Sequence, residues 1–325
     1  MSAQGQINVA ASASGLLLYN AFGASLRFAW LDRKGKPLGV VGEPASNNFM
    51  FRLSPDSRHI AVQRNASGGD LWLIEAERGI PTRFTAGTIT ITHPVWSPDG
   101  RTILFTHLGS RNVYRKEANG VGDEQVVAER PGLVFPMDWS GDGRWVLERE
   151  TTPGAKSNLW ILSVTSDGKL NEGVQPRPYL HMPFNESYGR FSPEPSPRWV
   201  AFQSDDSGRY EVYVDAFPTP RGKKRISTAG GAFPQWGAGG RELFYVTPDH
   251  KLMTVSLKAA GDSIEPSAPR ELFPLPGFVG ANVSPYEATR DGQRFLVLTG
   301  DEHATQPLTV IVNLPALLKR ETAAP

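Results

Sequence analysis

Polar residues recur at one position of a repeated sequence motif. The position directly precedes a large apolar residue and a turn rich in Pro, Asp and Gly, as in VWSPDG at 95–100. Along the chain it holds Ala10, Arg52, Val95, Asp138, Arg190, Gln235 and Glu287. Arginines hold carboxylates or phosphates with paired N–H donors, and carboxyl groups can exchange protons with a substrate. If the fold brings these side chains together, they form a site for an anionic ligand.

Further candidates lie in the residues that precede this position. Side chains alternate along a strand, so residues two positions earlier are expected on the same face. Those residues are Asn8, Met50, His93, Pro136, Tyr188, Phe233 and Pro285, with Asn48 and Glu186 one step further. We therefore predict a ligand-binding set of Arg52, Asp138, Arg190, Gln235, Glu287, His93, Tyr188 and Glu186. The alternative is that Arg52 with Glu287, and Arg190 with Asp138, are only structural ion pairs.

The motif repeats at a nearly constant interval. Its turns end near Gly15, Ser57, Gly100, Gly143, Pro197, Gly240 and Gly292, which gives spacings of 42, 43, 43, 54, 43 and 52 residues. Pro presets one turn dihedral, Asp bonds the following backbone, and Gly adopts the left-handed conformation that closes the turn. The turns are therefore expected to connect strands rather than to carry out chemistry.

Each repeat contains short runs rich in aromatic and β-branched residues, which are typical of strands. Examples of the third run are LRFAWL (26–31), DLWLI (70–74) and LTVIV (308–312). Four strands in about 43 residues is the size of a β-propeller blade. We predict an all-β, single-domain propeller over 1–325 with four-stranded antiparallel blades, seven in number, with six as the alternative. A segment before Gln6 is a candidate for the missing last strand, and 314–325 is predicted as a short helical tail.

Composition excludes several classes of function. The 34 Lys and Arg nearly balance the 33 Asp and Glu, and they are interspersed, so no nucleic-acid partner is expected. There is no cysteine, and the six histidines are far apart, so we predict no metal site and no cofactor. No GxSxG or protein-kinase motif is present, so no catalytic residue is assigned. No apolar run is long enough to cross a bilayer, and the start does not resemble a secretory signal.

The repeats resemble those of TolB-like propellers, the WSPDG-repeat class. The stretches at 183–214, 226–236 and 241–255, and the ending TVIVNLPALLKR (309–320), also resemble the propeller that follows a membrane-anchored serine/threonine kinase in acidobacteria. The resemblance covers nearly the whole chain; SPEPSPRW, with two extra residues in the fifth turn, departs from it. It implies a periplasmic or extracytoplasmic sensory domain, linked in the family to a kinase and membrane segment that this sequence does not include.

Two functions follow as hypotheses. The first is a non-catalytic propeller that binds a small anionic ligand or a protein at the mouth of its channel. The second is a lyase or glycosidase acting on an anionic saccharide. In the second, Arg52 and Arg190 hold the substrate, and Glu287, Asp138 or His93 exchange protons.

Overall fold

In the computed structural model, β-strands are the main regular element of the chain. The structure describes residues 8–11, 17–20, 25–46, 48–64, 69–87, 89–152, 154–165, 168–169, 171, 174–261, 263–276, 283–300 and 309–311. The first two hairpins are β1 (Asn8–Ala11) with β2 (Leu17–Asn20), and β3 (Ser25–Asp32) with β4 (Pro37–Ser46). Within these ranges, no helix is long and apolar enough to span a bilayer.

The next twelve strands form three consecutive four-stranded antiparallel sheets, which we call blades 1 to 3. Blade 1 contains β5 (Asn48–Leu53), β6 (His59–Arg64), β7 (Asp70–Glu75) and β8 (Pro81–Arg83). Blade 2 contains β9 (Ile91–Trp96), β10 (Thr102–His107), β11 (Asn112–Glu117) and β12 (Gln125–Glu129). Blade 3 contains β13 (Leu133–Trp139), β14 (Trp145–Thr151), β15 (Ser157–Ser163) and β16 (Arg177–Leu180).

Blades 4 and 5 continue the pattern. Blade 4 contains β17 (Glu186–Phe191), β18 (Trp199–Ser204), β19 (Glu211–Ala216) and β20 (Lys224–Arg225). Blade 5 contains β21 (Ala232–Gly237), a 3₁₀ turn (Ala238–Gly240), β22 (Glu242–Val246) and the long β23 (Lys251–Ala260). Two strands pair with different halves of β23, namely β24 (Ser263–Pro266) and β25 (Arg270–Pro274).

Blade 6 is built from both ends of the chain. Its inner strands are β26 (Tyr286–Ala288) and β27 (Arg294–Gly300), and its outer strands are β3 and β4. Strand β27 pairs with β3 along its whole length, from Arg294 opposite Asp32 to Gly300 opposite Leu26. The first strands of successive blades contact one another in order from β5 to β26. The ring is thus closed by a strand exchange between the chain's ends.

The prediction of a propeller with four-stranded antiparallel blades is confirmed, but the prediction of seven blades is wrong. There are six, because the run at 26–31 pairs with β27 instead of extending the first hairpin. That hairpin, β1 with β2, pairs with β28 (Thr309–Ile311) in a separate three-stranded sheet. The turn at Gly15, the segment before Gln6 and the tail at 314–325 lie outside the described residues.

The repeated turns are held by side chains as well as by backbone bonds. In blade 2, Ser97 Oγ donates to Asp99 Oδ1 over 2.6 Å, and the backbone N–H of Thr102 donates to Ser97 Oγ over 2.9 Å. The φ of Gly100 is 72°, the left-handed conformation that glycine adopts without strain. In the longer fifth turn, Ser192 Oγ still accepts the backbone N–H of Trp199 at 3.0 Å. The two extra residues therefore leave the serine contact intact.

The core lies between neighbouring blades. Central strands such as TILFTH are buried on both faces, which explains why their sequences lack an apolar and polar alternation. Trp96 packs among Ala61 and Leu71 of blade 1 and Ile103 of blade 2, and its Nε1–H donates to the carbonyl of Arg52 over 3.2 Å. Trp236 makes the equivalent bond to the carbonyl of Arg190 over 3.0 Å. These tryptophans fix each first strand against the preceding blade.

Candidate functional site

A cavity of about 400 Å³ opens at the end of the channel where the repeated turns lie. The ends of the first strands contribute six side chains of the repeated motif position to its wall, namely Arg52, Val95, Asp138, Arg190, Gln235 and Glu287. These are six of the seven residues that share the motif position. The seventh, Ala10, lies on β1, outside the six blades. One position in a repeated unit thus becomes one ring of side chains around an axis.

Glu287 is the hub of this ring. Its Oε1 accepts from Arg52 Nη1 at 3.1 Å, from Arg190 Nη2 at 2.9 Å and from Gln235 Nε2 at 3.2 Å. The carboxylate thereby links blade 6 to blades 1, 4 and 5. Burial raises the pKa of Glu287 to about 7, although the charge of Arg52 and the backbone N–H of Leu53 act to lower it. The predicted Arg52 and Glu287 ion pair is therefore present.

The two arginines have different amounts of free hydrogen-bonding capacity. Arg52 is committed to protein acceptors, because its Nη1 binds Glu287 and its Nη2 donates to the carbonyl of Met137 over 2.5 Å. Arg190 binds Glu287 through Nη2 only, and its Nε is buried without an acceptor among the described residues. Arg190 is consequently the arginine better placed to bind an added anion.

Asp138 lies beside Arg190 but is not fully engaged by it. The closest Arg190 Nη1 to Asp138 Oδ1 distance is 4.0 Å, at the limit of an ion pair, and Oδ2 accepts the backbone N–H of Phe191 at 2.8 Å. Burial raises the pKa of Asp138 to about 7, and the charge of Arg52 opposes that rise. Near neutral pH this carboxyl group can therefore hold or release a proton at the wall of the cavity.

A second layer of side chains lies deeper along the axis. Met50, His93 and Tyr188 line a small cavity of about 20 Å³ together with Arg52 and Arg190. The first strands are bulged just before the ring, for example between Ser187 and Arg190, and His93 and Tyr188 have φ of 55° and 51°. Bulges re-aim side chains, so the two candidates reach the axis from strained positions.

Neither second-layer candidate is charged at pH 7. Burial, with the charges of Arg149 and Arg52, lowers the pKa of His93 well below its ordinary value, so the imidazole is neutral at pH 7. Its Nδ1 is 3.0 Å from Thr92 Oγ1, and its ring is tilted by 49° against Phe135 at 4.7 Å between centroids. Burial raises the pKa of Tyr188 to about 12, and its ring meets Phe233 edge to face. Both residues therefore shape the channel without supplying charge.

Glu186 is placed apart from the ring. It is fully buried, lines neither cavity, and has Ser204 Oγ at 3.5 Å from its Oε1. Because the bulge interrupts the alternation of β17, a residue four positions before Arg190 does not share its face. Asn8 lies on β1 outside the blades, and the side chain of Asn48 is outside the described part of the chain.

The apolar part of the cavity wall was not predicted from the sequence. Trp96, Trp139 and Trp236 line the cavity in addition to packing between blades, and Arg290 lies exposed at its rim. Each tryptophan directly follows a ring position in the sequence. Because side chains alternate along a strand, the tryptophans were expected only on the opposite face, between the blades. Large aromatic surfaces beside a charged floor suit a ligand with one apolar face and one anionic group.

Among the described residues, no three His, Asp or Glu side chains are grouped closely enough to hold a metal ion. The carboxylates of the cavity are instead turned towards arginines and backbone N–H groups.

Comparisons with known proteins define the fold. No known family model matches the chain. Among curated proteins, an uncharacterized peptidase YuxL of Bacillus subtilis is 26% identical over 172 residues, which are 50% of this chain and 23% of YuxL. The uncharacterized protein Atu1656 of Agrobacterium fabrum is 25% identical over 222 residues, which are 60% of this chain and 68% of that protein. The chain therefore spans about a quarter of the length of YuxL.

Solved structures agree over most of the chain. The putative TolB from Agrobacterium tumefaciens superposes with a TM-score of 0.65 at 18% identity, covering 85% of this chain and 98% of that one. TolB from Acinetobacter baumannii gives 0.51 at 14%, covering 91% and 80%. An oligogalacturonate lyase in complex with manganese gives 0.51 at 13%, covering 95% and 81%. The chain is thus a six-bladed β-propeller with the fold of the TolB proteins.

Proposed function

We propose that this propeller is a non-catalytic binding domain that takes a small anionic ligand in the cavity at the turn end of its channel. The observation that carries the proposal is Arg190, whose side chain is 12% exposed at a cavity of about 400 Å³ and whose Nε–H has no acceptor among the described residues. A ligand carboxylate or phosphate would accept from this group, and the flanking tryptophans would cover an apolar face. A sugar acid fits both requirements, because it has an apolar ring face and a carboxylate.

The charge balance of the cavity supports an anion. Arg52 and Arg190 face Glu287 and Asp138, and the pKa of Asp138, raised by burial to about 7, leaves that carboxyl group partly protonated at neutral pH. Exposed Arg290 adds a further positive charge at the rim. The cavity thus has more positive than negative charge when a ligand arrives.

We further propose that ligand binding is reported to a linked signalling segment outside the cytoplasm. The basis is the resemblance of the repeats to propellers that follow membrane-anchored kinases. In the other form of this proposal, the propeller binds a protein partner instead of a small ligand. The outer loops and the cavity rim are then the surfaces for contact.

The alternative function is a lyase or glycosidase that acts on an anionic saccharide. Asp138 favours it, because a carboxyl group with a pKa of about 7 suits proton transfer at neutral pH. An oligogalacturonate lyase also shares the fold. Glu287 opposes it, since two arginines and an amide already occupy its Oε1. Asp138 is then the single candidate acid or base in the ring.

A thermal-shift screen of uronic acids, nucleotides and peptidoglycan fragments tests the binding proposal. A ligand of the cavity should raise the melting temperature of the wild-type chain, and Arg190→Ala should abolish the rise. Arg294→Ala is the matched control, because Arg294 is exposed and lies over Trp30 in blade 6, with no part in the cavity wall. If the rise survives both Arg190→Ala and Arg52→Ala, the cavity is not the binding site.

The same screen separates binding from catalysis. Each stabilising saccharide is incubated with the protein and followed for unsaturated or hydrolysed products. Turnover that disappears in Asp138→Asn but leaves binding intact would establish the alternative function. Binding without turnover supports the non-catalytic domain.

A further inference from the structure

Arg149 is a partly buried arginine that the cavity at the turn end does not use. It lies on β14 opposite Phe135. Phe135 is near the start of β13, at the end of that strand away from Trp139 and the turn. The Arg149 guanidinium carbon is 4.3 Å from the centre of the Phe135 ring. The Arg149 Nε is buried and has no hydrogen-bond partner among the described residues. No described carboxylate comes within ion-pairing distance of it.

Three other largely buried arginines of the propeller have a carboxylate partner. Arg52 and Arg190 share Glu287, and Arg130 binds Glu150 at 2.9 Å. A guanidinium taken out of water without a counter-charge costs several kcal/mol, so natural proteins rarely leave one unpaired. Arg149 has an aromatic ring beneath one face and an Nε–H without an acceptor among the described residues. An anion from outside the described chain is the partner that would satisfy it.

The surroundings of Arg149 suit a small ligand. The small cavity lined by Tyr188 and His93 lies along the channel axis beside Arg52 and Arg190. The His93 ring is tilted by 49° against the same Phe135 ring that carries Arg149, with 4.7 Å between centroids. Burial raises the pKa of Tyr188, and the charge of Arg149 acts to lower it. The result is an aromatic wall with one uncompensated cation at its edge.

We propose that Arg149, with Phe135, forms a second anion-binding site at the end of the channel opposite the turns, and that its ligand is a carboxylate. Phe135 fixes the plane of the guanidinium and leaves its edge for a two-point contact with both carboxylate oxygens. The carboxylate can belong to a small organic acid or to the C-terminus of a peptide. The site does not depend on the function proposed for the turn-end cavity.

Calorimetric titration distinguishes the two sources. The probes are succinate, as a small acid, and tetra-alanine with a free C-terminus compared with its C-terminal amide, all at matched ionic strength. We expect at least one carboxylate probe to bind the wild-type chain, the amide to fail, and Arg149→Met to weaken binding about tenfold or more. Arg294→Met, which alters neither cavity, should leave this binding unchanged. Binding that is lost in Arg190→Ala but kept in Arg149→Met would assign the carboxylate to the turn-end cavity instead.

Stability without ligand gives an independent readout. Arg149→Met keeps an apolar stem against Phe135 and removes the uncompensated charge, so its melting temperature should equal or exceed that of the wild type. Arg294→Met is the control, since it removes a guanidinium 4.9 Å from the Trp30 ring in blade 6. Arg149→Lys should fold and bind more weakly than wild type, because one ammonium cannot make the two-point contact.

Three results would overturn the proposal. They are the absence of binding by every carboxylate probe, equal binding by Arg149→Met and wild type, and a ligand-free melting temperature of Arg149→Met clearly below that of Arg294→Met. The last would show that the protein itself already satisfies Arg149.

Discussion

Arg190 of blade 4 and Glu287 of blade 6 meet across the channel, with Nη2 2.9 Å from Oε1. The two side chains come from blades that are not neighbours, so their contact ties the ring together through its axis. Arg52 completes the link from blade 1. The same contact determines which arginine atoms remain for a ligand, because it occupies Nη2 of Arg190 and Nη1 of Arg52, whose Nη2 is bound to the carbonyl of Met137.

The first prediction concerns this hub. Glu287→Ala leaves Arg52 and Arg190 buried without their shared acceptor, and we expect the free energy of unfolding to fall by about 3–5 kcal/mol. Urea denaturation followed by tryptophan fluorescence measures it. Glu265→Ala, which removes an exposed glutamate on β24, is the control and should change stability by less than about 0.5 kcal/mol. Equal effects from the two substitutions would show that the hub does not stabilise the ring.

The second prediction concerns the pH dependence of ligand binding. Burial raises the pKa of Asp138 to about 7, so the carboxyl group is neutral below pH 7 and charged above it. A negative charge beside the bound anion opposes binding. One pKa unit of coupling between Asp138 and the bound anion lowers the affinity for a uronate such as galacturonate about fivefold from pH 6 to pH 8. Asp138→Asn should remove this part of the pH dependence and leave the part due to Glu287, whose pKa burial also raises to about 7. A variant that keeps the full wild-type dependence would exclude Asp138 as a source.

The third prediction concerns Glu148 in blade 3. It is fully buried, neither oxygen has a hydrogen-bond partner in the described structure, and its nearest cation is Arg130 Nε at 3.5 Å. Burial raises the pKa of Glu148 to about 8, with Arg130 opposing the rise and Glu150 adding to it. Between pH 4.5, the ordinary pKa of a glutamate, and pH 8, Glu148 is protonated in the folded state but ionised in the unfolded state. Stability should therefore decline as pH rises through that window.

Glu148→Gln tests this dependence, because the amide has nearly the same shape and stays neutral. Its free energy of unfolding should match that of the wild type near pH 5 and exceed it by on the order of 2 kcal/mol at pH 9. Guanidinium denaturation at the two pH values gives both numbers. A variant that is less stable than the wild type at pH 9 would mean that the charged carboxylate is stabilised by the fold.

The fourth prediction concerns ring closure. Arg27 on β3 is directly opposite Thr299 on β27, and the chain has no cysteine of its own. The double substitution Arg27→Cys with Thr299→Cys should form a disulfide, because opposed residues of antiparallel strands lie within bridging distance. Closing so long a loop can add as much as about 5 kcal/mol. A faster-migrating oxidised species and a raised melting temperature are the readouts, whereas no cross-link would argue that blade 6 is not shared between the chain ends.

The sequence by itself determined the repeating unit and the ring of candidate residues. The regular turns, the short β-rich runs and the shared motif position predicted that one side chain from each repeat lies around a common axis. The reason is that the same position of each blade has the same place relative to the axis. The cavity wall contains these side chains, among them Arg52, Asp138, Arg190, Gln235 and Glu287. Local turn chemistry was also readable, because Ser97, Asp99 and Gly100 bond within their own hairpin.

Only the tertiary structure decided the number of blades, the use of each candidate and the place of Arg149. Whether β3 pairs with β2 or with β27 depends on contacts between residues more than 250 positions apart, which no local pattern encodes. Bulges turned Glu186 away from the ring while keeping Tyr188 beside the axis. Hydrogen-bond partners, and therefore which charge remains uncompensated, are set by packing between blades. A sequence places residues along a strand, but burial and pairing across the ring determine what they can bind.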